Sequence, residues 1–213
     1  MDISCFGKWP AFISSVTEVG SLVLADPKDN NRYTYVEYLK WSEDERWELI
    51  EGVAYNIAAP SRRHQEVLGE FFFQIRSYLT DKSCRIYAAP FDVRFSELGE
   101  EIGEISNVVQ PDISVVCDKS KLDDKGCLGS PDLIIEVISP TSISTDYVKK
   151  LALYEKYKVK EYWIVHPIDN TVMVFVLGDD NQYGKPGIFM ENSQLKSRVF
   201  ADFKINLKQA FGE

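Results

Sequence analysis

Hydrophobic positions recur most clearly at three- and four-residue spacing through His64, Val67, Leu68, Phe71, Phe72, Ile75, Tyr78 and Leu79, which predicts a long amphipathic helix with Ser61 as its N-cap. Upstream, YTYVEYLK predicts a short helix from Tyr33 or Thr34 to about Lys40. Ser42 and Glu45 then have capping-box spacing, and a strand runs into ELIEGVAYNIAAP. In CRIYAAPFDVRFSE, Phe91, Val93 and Phe95 alternate with Asp92, Arg94 and Ser96, the pattern of a strand with one wetter face. An acidic, glycine-containing loop (Glu97 to Asn107) leads to a second strand in VVQPDISVVCD. After a loop from Asp118 to Pro131, DLIIEVIS is apolar on both faces and is expected as a central strand covered on two sides. A helix from about Thr145 to Tyr157 follows, then EYWIVHP and TVMVFVL as two strands joined by the turn-like IDN. SRVFADFKINLKQAF closes the chain as a strand and a short helix. This order predicts an α/β fold, a central mixed β-sheet flanked by helices.

Composition narrows what such a fold does. The 213 residues are 45% hydrophobic, enough for one sizeable core, and no Pro/Gly/Ser-rich linker divides them. Residues 1–31 carry little periodicity and are set apart as an extension of unknown role; 32–213 are expected to form one domain. No apolar run approaches the roughly 20 residues that span a bilayer, so no membrane is expected. Cys5, Cys84, Cys117 and Cys127 show no CxxC or Cys/His ligand spacing and read as small core fillers, and no signal-peptide pattern opens the chain. A reducing cytoplasm is the expected compartment. The net charge of −9 counts against nucleic acid as a partner, because backbone affinity comes largely from Lys and Arg displacing counterions. The charge is uneven, however. Between Thr145 and Lys160 lie lysines 149, 150, 156, 158 and 160 against Asp146 and Glu155.

One residue resists the apolar reading of DLIIEVIS. Glu136 stands between Ile135 and Val137, and a carboxylate buried on a two-sided strand costs several kcal/mol unless a cation or donors meet it. Asp112 opens the preceding strand, and if the two strands pair, both carboxylates approach on one face. Two such acids repel unless a proton or a metal lies between them. Oxygen ligands without His or Cys favour Mg²⁺ or Mn²⁺ over zinc. On the following helix Tyr147, Lys150, Leu151, Tyr154 and Lys158 share a stripe, so Lys150 is directed toward the sheet and can compensate the acids or stabilise charge on a phosphoryl group.

The segments VVQPDISVVCD, GSPDLIIEVISPTS and DYVKKLALYEKYKVKEYWIVHP, with WELIEGVAYNIAAPSRRHQEVLG and APFDVRFSE, resemble the Uma-type family of restriction-endonuclease-like proteins, catalogued as a domain of unknown function within the PD-(D/E)XK nuclease superfamily. The resemblance runs in order from Tyr33 to Phe211. It implies a restriction-endonuclease-like core, with Asp112 at the PD position, Glu136 at the D/E position and a divalent metal held by both and by the Val137 carbonyl. The residue two beyond Glu136, where the superfamily pattern has Lys, is Ile138; in the resembled family the lysine comes from the next helix, at Lys150. His166 stands where the family more often has Asp, and no role is assigned to it. The implied activity is metal-assisted hydrolysis of phosphodiester bonds in DNA, with Lys150 positioning the attacking water. The resemblance also makes His64 a candidate for substrate or water contact, and Glu48 and Asp92 candidates for additional ligands or their supports.

Arg62, Arg63, Lys149 and Lys150 are the residues expected to touch phosphates. A homodimer would supply two centres for two strands. Each assignment has a plainer alternative: acids held by backbone donors, a lysine in a structural ion pair, a satisfied core histidine. The whole chain then becomes a catalytically silent module that keeps the fold for binding. Hydrolysis of another phosphoester is a third reading, since no element here identifies a base.

Overall fold

The computed structural model describes residues 31–41, 44–138 and 145–212, with the side chains of 145–147 excepted. The Ser42–Glu45 capping box, the Tyr147 side chain and all but the last residue of the 1–31 extension lie outside these. Two six-stranded sheets and one two-stranded sheet make up the described β-structure. The first runs in spatial order β2 (Val53–Asn56), β1 (Trp47–Ile50), β5 (Asn107–Val109), β4 (Val93–Phe95), β8 (Gly126–Leu128) and β7 (Leu122–Asp123). The second runs β12 (Gly187–Met190), β11 (Thr171–Val176), β10 (Glu161–His166), β9 (Leu133–Val137), β6 (Ile113–Val116) and β3 (Arg85–Ala88). The small sheet pairs β13 (Gln194–Lys196) with β14 (Lys204–Asn206). The helices are α1 (Tyr35–Tyr38), α2 (Arg62–Tyr78), α3 (Leu151–Lys156) and α4 (Leu207–Phe211). No helix among the described residues is long and apolar enough to cross a membrane.

The second sheet is mixed: β9 and β10 are parallel, and every other neighbour is antiparallel. Its strands β6 and β9 are buried throughout, as expected for β9. One face carries Ile113, Val115, Leu133, Ile135, Trp163 and Val165 against Val67, Phe71 and Ile75 of α2 and Phe211 of α4. The other carries Ile134, Tyr162 and Ile164 against Leu153 and Tyr154 of α3 and Val93, Phe95 and Val109 of the first sheet. α1 and the rings of Tyr33, Trp41 and Trp47 cover the outer side of that first sheet. α2 follows from its period, and Ser61 caps it by accepting the His64 N–H at 3.2 Å. Thr34 and Glu37 form the capping box of α1.

Several expectations are corrected. ELIEGVAYN is a hairpin rather than one strand, because Glu51 and Gly52 take positive φ (+51° and +76°) in the two-residue turn between β1 and β2. VVQPDISVVCD divides into β5 and β6, which belong to different sheets. Pro111, with no N–H to give a ladder, lies at the crossover. The segment from Asp118 to Pro131 contains the β7–β8 hairpin. The expected wet face of β4 is buried: Arg94 is 1% exposed and reaches Asp123 at 2.6 Å. The helix from Thr145 opens as a π-helical turn, Thr145–Lys150, before α3. Cys84 and Cys117 are not small core fillers but a disulfide, continuing the register in which Arg85 faces Val116. A disulfide counts against the reducing cytoplasm expected from the cysteine spacing and the lack of a signal-peptide pattern. Cys127 is a buried free thiol, pushed up to about 11 by burial.

Candidate metal centre

The register of the second sheet brings the two acids together. Ile113 faces Ile135 across the antiparallel β6–β9 pair, so one step further Asp112 stands opposite Glu136. The Asp112 N–H points at Glu136 Oε2 across 3.4 Å, and the Val137 N–H donates to Asp112 Oδ2 at 2.8 Å. The end of β3 fixes the same residue from the other side, as the Ala89 N–H donates to the Asp112 carbonyl at 3.2 Å.

Lys150 reaches this pair from the last residue of the π-helical turn. Its Nζ lies 2.9 Å from Glu136 Oε1 and 2.9 Å from Glu48 Oε1, and it is 5% exposed. Glu48, on β1 of the first sheet, also accepts the Gln110 N–H at 2.8 Å. One ammonium therefore joins acids from both large sheets. Tyr154, one turn further along α3, donates its hydroxyl to Glu136 Oε1 at 2.8 Å. His64 at the start of α2 places Nε2 3.1 Å from Asp112 Oδ2. With Nε2–H as the donor to that carboxylate, Nδ1 is the bare nitrogen, buried and without a hydrogen-bond partner among the described residues.

The other candidates stand apart. Asp92 accepts from Tyr38 Oη at 3.0 Å and Gln110 Nε2 at 2.9 Å, and is linked to Lys150 only through Gln110 and Glu48 among the described contacts. Burial raises its carboxyl above the ordinary range, against the opposing hydrogen bonds of Gln110 and Tyr38. Tyr38 is raised in turn by burial and by the Asp92 charge. Arg63 is held by carbonyls, donating to Pro167 at 3.3 Å and Phe211 at 2.7 Å, and to Asn170 Oδ1 at 3.1 Å. Arg62 is exposed and pairs with Glu66 one turn along α2. Lys149 turns away from Lys150, its Nζ 2.6 Å from Tyr55 Oη and over that ring.

Two participants had not been singled out from the sequence. Gln110 is a junction, its carboxamide also accepting from Arg46 Nε at 3.0 Å; its only sequence signal is a polar residue between NVV and Pro111. Tyr154 stood on the Lys150 stripe, but a tyrosine on an apolar stripe reads as core.

Among the described residues no group of three or more His, Cys, Asp and Glu side chains is arranged to hold a metal ion. Magnesium does not need one, since it keeps several waters and commonly takes one or two carboxylates. Asp112 and Glu136, facing each other on adjacent strands with hard oxygens, fit that requirement. The formal charges agree: the carboxylates of Glu48, Asp112 and Glu136 against the ammonium of Lys150 leave two negative charges for a dication to meet.

Residues 35–208 match the family Uma2, whose description is "Putative restriction endonuclease". Over 150 residues the chain is 25% identical to "Uncharacterized protein slr1290" of Synechocystis sp., covering 69% of this chain and 75% of that one. It is also similar to a crystal structure described as "a putative nuclease belonging to DUF820" from Anabaena variabilis. The TM-score is 0.68 at 22% identity, covering 84% of this chain and 97% of that chain. That likeness is one of fold.

Proposed function

Since the chain belongs to the Uma2 family, we propose that it is a metal-dependent nuclease hydrolysing phosphodiester bonds in DNA, with Asp112, Glu136 and the Val137 carbonyl as ligands of Mg²⁺ or Mn²⁺. The observation that carries this reading is the buried Lys150 ammonium between Glu48 and Glu136, beside a third acid on the adjacent strand. When bound, the ion would lower the pKa of a water and polarise the phosphate.

The protein's own groups have distinct tasks. Asp112 is oriented by the Val137 N–H and by His64, so its carboxylate keeps one direction. Lys150, fixed by two glutamates, supplies positive charge where a phosphoryl oxygen gains negative charge, without reorganising. Glu48 anchors that ammonium. Exposed Arg62 and Lys149 are the proposed phosphate contacts, which compensate locally for the net charge of −9. Arg63 holds the fold together instead. A homodimer would present two such centres to the two strands of a duplex.

A second reading draws on the same contacts. Glu136 Oε1 and Asp112 Oδ2 each accept two internal hydrogen bonds, an arrangement that also suits a catalytically silent binding module. Incubation of supercoiled plasmid with Mg²⁺ or Mn²⁺ separates the two. The nuclease reading expects nicked or linear product, with Asp112→Asn at least about a hundredfold slower. Equal rates for parent and variant would reject the site. Absence of cleavage, together with a melting temperature indifferent to either metal, would establish the silent module.

A further inference from the structure

We propose that Tyr154 is a positioning residue of this centre: with Lys150 it pins Oε1 of Glu136 and so presents the other oxygen, Oε2, to the space shared with Asp112. The inference rests on the functional reading above and adds a group to it. A carboxylate on a Glu side chain turns in a broad, two-fold well, so nothing intrinsic selects which oxygen faces which neighbour. Here the choice is made. Among the described residues, the Tyr154 hydroxyl at 2.8 Å and the Lys150 ammonium at 2.9 Å both fall on Oε1, and the Asp112 N–H turns Oε2 toward Asp112 across 3.4 Å.

Tyr154 is suited to hold a direction. It is fully buried, its ring is met edge-on by Tyr162 with centroids 4.8 Å apart, and Phe95 lies 5.9 Å away. It stands four residues after Lys150, so the two donors emerge one above the other toward the sheet. A buried phenol does need an acceptor, and a backbone carbonyl suffices for that need, as at the half-buried Tyr183, whose Oη donates to the Val159 carbonyl at 2.7 Å. Tyr154 instead meets a carboxylate that an ammonium already pairs, which matters for orientation and little for charge.

The test is calorimetric titration of the full chain with Mn²⁺ or Mg²⁺ alone, without DNA, on the parent, Tyr154→Phe and Tyr183→Phe, each with its melting temperature. Both variants remove one hydrogen-bonded hydroxyl and keep the ring. Tyr154→Phe is expected to weaken metal affinity by about 10- to 100-fold, the usual effect of losing a group that orients a ligand. Tyr183→Phe is expected to lower the melting temperature comparably and to keep the parent affinity. Unchanged affinity in Tyr154→Phe overturns the proposal, as does an equal loss in both variants, which would mean general loosening. A parent that binds neither metal overturns the functional reading itself, and the inference with it.

Discussion

Glu136 and Glu161 lie on neighbouring parallel strands, both buried, on opposite faces of one sheet, yet their surroundings differ in kind. Among the described residues Glu161 accepts only from neutral donors: Trp163 Nε1 at 2.9 Å, Ser197 Oγ at 2.7 Å, and the N–H groups of Arg198 and Val199 at 3.0 Å. Those donors tie β10 to the segment leading into β14, so the charge serves to anchor a loop. Glu136 is met by an ammonium and a phenol and faces a second acid. Oriented neutral dipoles can satisfy a lone buried carboxylate. Adding a cation and further acids creates a local charge imbalance that folding alone does not require.

The largest effect that sharpens this contrast is expected for Lys150→Met. The variant keeps the length of the side chain and removes the ammonium, leaving Glu48 and Glu136 buried without their cation. Breaking a buried pair from one side costs about 3–5 kcal/mol, to be read from denaturant unfolding. Part of that loss should return on adding Mg²⁺ if a dication binds the acids, because a ligand of the folded state alone stabilises it. A cost below about 1 kcal/mol would make the pair no better than a surface salt bridge and erase the distinction.

Glu161→Gln comes next. The carboxamide must turn its NH₂ toward donors, either Trp163 or the Ser197–Val199 cluster, so one buried pairing is lost. The expected cost is about 1–3 kcal/mol, with metal affinity unchanged. Calorimetry on Glu161→Gln beside Glu136→Gln decides it: a loss of metal affinity shared by both variants would show that the two faces of the sheet are coupled.

The same contrast explains what could be read from the sequence. α2 and the strands β9, β10 and β11 of the second sheet were legible because their apolar spacing is strong and their burial is local to each element. Glu136 was legible as a polar residue within a run of β-branched ones, and Asp112 as the acid at the start of the strand expected to pair with it. Lys150 followed from its helical stripe. What escaped depends on partners distant in sequence. Arg94 reads as wet until Asp123 closes over it, and Glu48 meets Lys150 only because β1 belongs to the first sheet, packed on the second. Pro111 gave no sign that the chain changes sheets there. Cys84 and Cys117 are 33 residues apart, and only the β3–β6 register makes them neighbours. β12 was missed because its side chains are largely exposed and carry no alternation.

Asp92 is intermediate between the two glutamates and supplies the smallest expected effect. Among the described residues it has two neutral donors, Tyr38 and Gln110, fewer than Glu161 has, and no direct cation. Burial raises its pKa above the ordinary 3.8, with the Glu48 charge adding to the rise and the Gln110, Tyr38 and Arg94 groups opposing it. Between 3.8 and the raised value the folded protein therefore holds a proton that the unfolded chain has released. Stability falls as pH rises through that window and stays lower above it. Asp92→Asn keeps an oxygen for both donors and has no charge to desolvate. Melting temperatures measured from below to well above the carboxylate range should coincide at the acid end and favour the variant near neutrality. A variant less stable than the parent at neutral pH would show that two oriented neutral donors already stabilise the charged form. In that case the number of donors, and not the presence of a cation, separates a structural carboxylate from a reactive one, and the case for Glu136 would rest on its neighbouring acids alone.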